Sequence, residues 1–256
     1  MKQLFLFLFT AALLVSSCKP KPEETSSPTP QTVNPNRNGL ALRLFPKMGE
    51  RVQLEAAMKL FSQKHFKEDN KWRIYRVYGG DYDGTYLMFS ASMRSWSYYD
   101  STHPAVDAMW AEFETTITPY LTNAVLENLQ FLPALSSVPQ QNYSTKSTVT
   151  ERRVKAGRAQ EFEELIKKVL PVWQKKNLGL VYYLSTLGHP NRYYSVRRHV
   201  NGWSEKDPGF FDVKTEYIAQ YGAPAWDDFQ KKFNDVVEYT NVQLQVYLPE
   251  LSNDTP

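Results

Sequence analysis

The chain of 256 residues has a single cysteine, Cys18, so no disulfide can form within it. Histidine is almost as scarce, with only His65, His103, His189 and His199. There is no HExxH, no cysteine pair, no GxSxG, no GxGxxG and no P-loop. Zinc, nucleophile-elbow, dinucleotide and Walker-type chemistry therefore have no residues to use, and no metal site is expected. The carboxylate pairs Glu163-Glu164 and Asp227-Asp228 are neighbours on helices, where adjacent side chains diverge. Charge of one sign is also lacking: 30 basic and 27 acidic residues are interspersed for a net +3, which argues against a nucleic-acid partner.

Long apolar runs are limited to Leu4–Val15, preceded by Lys2 and followed by Ser16-Ser17-Cys18. Residues 1–18 read as a signal peptide whose core is too short to span a membrane permanently. Val-Ser-Ser-Cys resembles the lipobox of bacterial lipoproteins, which implies acylation of Cys18 as the mature N-terminus. Residues 19–38 are rich in Pro, Ser, Thr and Asn and cannot bury enough surface to order themselves, so they read as a tether. The expectation is a bacterial cell-envelope protein anchored by lipid, in the outer membrane facing the periplasm or the cell surface.

The remainder contains an internal repeat. Lys47-Met48-Gly49 matches Lys155-Ala156-Gly157 at a spacing of 108, and Leu54, Met58 and Phe61 fall on Phe162, Ile166 and Val169. Tyr86–Met93 falls on Tyr193–Val200 at a spacing of 107, together with Trp96 on Trp203. Beyond these the spacing becomes 116, for Trp110 and Phe113 on Trp226 and Phe229 and for Phe131–Ser136 on Tyr247–Ser252. Residues 39–138 and 139–256 are then two copies, the second with an insertion at 207–224. Phe162, Leu165, Ile166, Val169, Leu170 and Trp173 form one helical stripe. The Tyr- and Val-rich segments 180–187 and 192–200 flank a Gly-His-Pro-Asn turn and predict a hairpin. Each copy reads strand, helix, strand, strand, helix, strand, the ferredoxin-like α+β order with both helices on one face of an antiparallel sheet.

The Val154-Lys-Ala-Gly-Arg158 turn running into Glu161-Phe-Glu-Glu-Leu165 resembles the strand-to-helix start of the dimeric α+β barrel superfamily, the antibiotic-monooxygenase-like domains. The resemblance implies that the two sheets pack face to face as a barrel within one chain. The superfamily holds cofactor-free monooxygenases and haem-handling enzymes beside domains without known activity, so it constrains the fold more than the function.

Alternation on the strands offers candidate site residues. If Leu87, Phe89, Tyr194, Val196 and the apolar residues of 242–248 lie under the helices, the barrel interior is lined by Tyr86, Ser90, Ser92, Tyr193, Ser195, Arg197, His199 and Gln245. Such a polar interior is either a small-molecule site or a satisfied hydrogen-bond network with ordered water. His199 has the chemistry of a general base or an axial haem ligand; otherwise no cofactor is indicated. His189 lies in the turn, His65 in a helix tail and His103 in a loop. The insertion 207–224, carrying Phe210, Phe211, Tyr217, Ile218 and Tyr221, is expected at a barrel mouth as a lid, a cover or a surface for a protein partner. The leading functional expectation is a domain that binds a small molecule or a partner. A monooxygenase-like or haem-handling enzyme is the alternative, and a purely structural envelope role is a third.

Overall fold

The computed structural model describes residues 38–253 apart from 68–69, 91, 93, 141–142 and 188–190. The expected signal peptide, Cys18, nearly all of the tether and His189 lie outside the described residues. Asn38, the last residue of the expected tether, already pairs in the first strand.

The first copy runs β1 (Asn38–Pro46), α1 (Arg51–His65), β2 (Trp72–Tyr78), β3 (Tyr86–Ser90), α2 (Pro104–Thr116) and β4 (Leu121–Phe131). The second runs β5 (Lys146–Val154), α3 (Ala159–Lys175), β6 (Gly179–Ser185), β7 (Arg192–Arg198), α4 (Val213–Tyr221), α5 (Ala223–Val236) and β8 (Val237–Tyr247). Both copies have the expected α+β order. Only α4, inside the insertion, has no counterpart. The strand-to-helix turns need a left-handed residue, and Gly49 (φ 83°) and Gly157 (φ 77°) supply it without a Cβ penalty.

All pairings are antiparallel, in the order β4-β1-β3-β2 for one copy and β8-β5-β7-β6 for the other. β2 then pairs with β8 (Tyr75 opposite Tyr247) and β4 with β6 (Leu129 opposite Ser185), which closes one eight-stranded barrel from two ferredoxin-like halves. This is the tandem dimeric α+β barrel. Closure leaves no bare sheet edge, the liability of an open antiparallel sheet.

Three cores result. Leu42, Leu44, Met88 and Tyr86 pack under α1 and α2 against Leu54, Met58, Phe61 and Phe113. Phe162, Ile166, Val169, Trp226 and Phe229 cover the second sheet. The barrel interior holds Ala41, Tyr75, Phe89, Val149, Val181, Tyr183 and Tyr194.

This arrangement overturns the expected phase of both hairpin strands. Tyr86, Tyr193, Ser195, Arg197 and His199 lie on the helix side, while Leu87, Phe89, Tyr194 and Val196 face the interior. Ser90 and Ser92 line a hollow on the outer face of the first copy. Of the eight expected interior residues only Gln245 is inside. Alternation misleads here because helix layers bury the outer face while closure buries the inner one, so neither face must be polar. The insertion is also displaced from its expected place. α4 packs on the helices of its own copy, with Tyr217 against Trp226 (5.6 Å between ring centroids) and Phe229 (5.5 Å), and Lys176 bridges to Glu216 at 2.7 Å.

Among the described residues, no helix is long and apolar enough to cross a membrane.

Candidate functional site

The two copies serve as controls for one another. In the first, β1 presents Leu40, Leu42 and Leu44 to the helices, and Met88 of β3 stands opposite Leu42. At matched register the second copy has Thr148, Thr150 and Arg152 on β5, with Ser195 of β7 opposite Thr150. A hydrophobic sheet face has become polar beneath an apolar helix pair. Such a face cannot pack as a dry core.

A chamber of about 530 Å³ lies there, between β5–β7 and the pair α3 and α5. Ile166, Val169 and Trp173 of α3 and Trp226, Phe229 and Phe233 of α5 form its apolar roof. Phe211 and Val213 of the insertion close one side, with Phe211 against Trp173 at 4.8 Å between centroids. The corresponding hollow of the first copy measures about 410 Å³ and is lined by Trp72, Ser90, Ser92, Tyr98, His103 and Trp110, among others.

One end of the chamber carries a buried polar cluster. Arg197 donates from Nη2 to Glu205 Oε2 at 2.8 Å, and its guanidinium lies over the rings of Trp173 (5.1 Å) and Phe211 (5.4 Å). Glu205 Oε1 accepts from the Asn201 backbone N–H at 2.8 Å. His199 Nδ1 stands 3.5 Å from Glu205 Oε2, and Nε2 is 2.8 Å from the Thr148 hydroxyl. Nδ1 makes no hydrogen bond, and Glu205 is its nearest carboxylate; in the tautomer that puts the proton on Nδ1, Nε2 is the basic nitrogen and accepts from Thr148. Burial, and after it the Arg197 charge, holds His199 below the usual histidine range, so the ring is neutral at physiological pH. Burial alone would raise Glu205, but the Asn201 N–H, Arg197 and His199 together hold it below the usual carboxylate range. By the same register the first copy has Ser90, Ser92 and Tyr98 in place of Arg197, His199 and Glu205. The cluster belongs to the second copy alone.

At the other end, Arg152 Nη1 donates to Ser195 Oγ at 2.8 Å, and the guanidinium lies 5.5 Å from the Phe233 ring centroid. Tyr193 is not a lining residue; its hydroxyl ties β7 to α3 through Glu163 at 3.0 Å. Tyr86 makes the matching tie to Glu55 of α1, and burial together with that carboxylate pushes its hydroxyl up to about 12.

Inside the barrel, Gln245 shares a cavity of only about 60 Å³ with Gln243. Nearby, Arg192 meets Glu127 at 2.9 Å and Glu151 at 3.1 Å, Tyr194 donates to Glu127 at 2.7 Å, and Arg43 donates to Gln243 at 3.3 Å. The interior is thus a mostly satisfied network. The amide nitrogens of Gln243 and Gln245, left without protein partners, suit ordered water.

The structure therefore gathers Ser195, Arg197 and His199 at one chamber and separates them from Tyr86, Ser90, Ser92, Tyr193 and Gln245. Thr148, Thr150, Arg152 and Glu205 are the site residues that sequence reasoning missed. The repeat carried their signal, since Arg152 falls on Leu44 at the same spacing of 108 that aligns the helices. Among the described residues, no three His, Asp or Glu converge as a metal site.

No family model matches the chain, and no curated protein matches it. Solved structures do. A candidate monooxygenase of Fusobacterium nucleatum is 13% identical with a TM-score of 0.50, the match covering 84% of this chain and 94% of that one. At that identity it shows the fold alone. A chlorite dismutase variant from Candidatus Nitrospira defluvii (10% identical, TM-score 0.48, 85% and 93% covered) is more distant in shape. So is a haem-binding protein of Thermus thermophilus (14%, 0.46, 85% and 93%).

Proposed function

We propose that the second copy binds a small aromatic molecule in its chamber and acts on it as a monooxygenase-like oxidoreductase, with His199 as the base. One observation supports this above the others: the face that is Leu40, Leu42, Leu44 and Met88 in one copy is Thr148, Thr150, Arg152 and Ser195 in the other, over a chamber of about 530 Å³. A phenol or enol that donates to the Thr148 hydroxyl would pass its proton through that hydroxyl to Nε2 of a neutral imidazole whose far nitrogen stands 3.5 Å from a carboxylate, a general base acting through one relay. Loss of that proton makes the ring electron-rich enough for dioxygen from solution to oxidise it. A structural neighbour that bears the name of a candidate monooxygenase is consistent with an oxidoreductase on this fold.

Haem suits the chamber less well. Its aromatic roof would accept a macrocycle, but His199 is the one histidine on the lining, and its nitrogens already face Thr148 and Glu205.

The test is thermal shift with aromatic quinols, flavins and haem, followed by oxygen uptake with any quinol that binds. A ligand at a hundred times its dissociation constant should add about 2.7 kcal/mol of stability. Thr150→Phe, which fills the chamber, should abolish the shift. His199→Gln should keep binding and lower uptake by about a hundredfold or more. No shift with any ligand would sink the chamber, and unchanged uptake in His199→Gln would remove the base.

The envelope location is a separate proposal that rests on residues 1–18 alone. Metabolic labelling with palmitate should mark the wild-type protein and not Cys18→Ser. An unlabelled wild type would overturn the anchor.

A further inference from the structure

Two half-buried guanidiniums line the chamber, each with a buried Nε–H that has no partner, but only one of them has a counter-ion. Arg197 is paired with Glu205 at 2.8 Å. Asp212 is engaged as the N-cap of α4, accepting from the Lys214 and Thr215 backbone N–H groups. Lys206 is exposed to solvent. Arg152 is different. Its one protein acceptor is Ser195 Oγ, and, unlike Arg197, whose Nε–H is likewise unpartnered, it has no carboxylate within ion-pair distance among the described residues. In the first copy the same register position is Leu44, fully buried, so the fold does not need a cation there. A buried donor without an acceptor, on a guanidinium without a counter-ion, costs stability unless something binds it.

The strand sets the geometry. Arg152 and Thr148 lie four residues apart on the same face of β5, about 13 Å at strand rise. Between them stand the Thr150 hydroxyl below and Val169, Phe229 and Phe233 above.

Resting on the chamber reading above, we infer that its ligand is an elongated aromatic acid. The carboxylate is held by Arg152, the rings lie under α3 and α5, and a polar group reaches the Thr148–His199 end. A planar guanidinium with a free Nε–H and Nη suits a bidentate carboxylate. The helix roof brings no competing charge. The ligand's acid replaces the carboxylate that Arg152 lacks in the protein.

Two fluorescent probes with the same anilinonaphthalene body separate charge from shape: 8-anilinonaphthalene-1-sulfonate, which is anionic, and N-phenyl-1-naphthylamine, which is neutral. Both are titrated into the folded chain, into Arg152→Leu and into Thr150→Phe. Leucine is the first copy's own residue at this position, and the melting temperature of the variant shows whether it remains folded. The expected result is that Arg152→Leu weakens the sulfonate tenfold or more and changes the neutral probe less than twofold, while Thr150→Phe excludes both. If both probes bind the wild type and Arg152→Leu treats them alike, the acid inference is overturned and the chamber stands. If neither binds, or Thr150→Phe makes no difference, the chamber reading itself falls.

Discussion

His199 shows how little a residue's identity says before its neighbours are known. Just past the end of β7, its alternation predicts an interior face, yet it stands on the helix side, between Thr148 and Glu205. Burial and Arg197 lower its folded-state pKa beneath the unfolded value of about 6.5. Protonation therefore favours the unfolded chain, and the stability held by the neutral ring is complete above about pH 6.5 and lost as pH falls below it. Glu205, also held low, acts in the same direction at lower pH, its contribution present above about 4.3 and lost beneath. Calorimetry should show the melting temperature dropping from pH 7 to pH 5, with part of that drop absent in His199→Gln. Parallel profiles would mean that His199 is not the titrating group. Arg152 teaches the complementary lesson: its charge was plain in the sequence, but the missing counter-ion appears only once the surrounding side chains are placed.

The elements divide by how their burial is organised. α3 was legible because one face is buried and one solvated: Phe162, Leu165, Ile166, Val169 and Leu170 are buried, with Glu161 and Lys168 exposed. The repeat located α1, α2 and α5 by the same logic. The last strand was read in the right phase, because Gln243 and Gln245 do point inward. The hairpins were not. β7 is covered on one side by α3 and α5 and on the other by the opposite wall of the barrel, so Tyr193 and Tyr194 are both buried. Where both faces are buried, hydrophobicity no longer distinguishes them, and a period of two says only that there is a strand. The insertion was misplaced for a related reason: its aromatics, Phe211 and Tyr217, seek the nearest exposed apolar surface, which is the helix layer of their own copy.

At the scale of the whole molecule, neither copy is complete alone. β2 needs β8 and β4 needs β6, and the interior core of Tyr75, Phe89, Val149 and Tyr183 draws on both halves. A chain of residues 39–138 would expose two sheet edges and half of that core. It should associate into a two-fold dimer that rebuilds the barrel, with a mass twice that of the monomer by light scattering. A well-folded monomer would show that the halves do not depend on each other. Evolution of a site is easier in such a pair, because one copy can keep an apolar strand face while the other takes polar side chains there. The structure bears that division: the cluster of Arg197, His199 and Glu205 is present in one copy only.

By itself the sequence determined the repeat, the order of elements in each copy, the α+β class and the positions of the helices, because local periodicity and turn residues act within one or two turns of chain. The face to which each hairpin residue points, the place of the insertion and the gathering of Thr148, Arg152, Ser195, Arg197, His199 and Glu205 around one chamber were decided by the tertiary structure. They depend on barrel closure and on which helix layer covers which sheet, and those contacts join residues far apart in the chain.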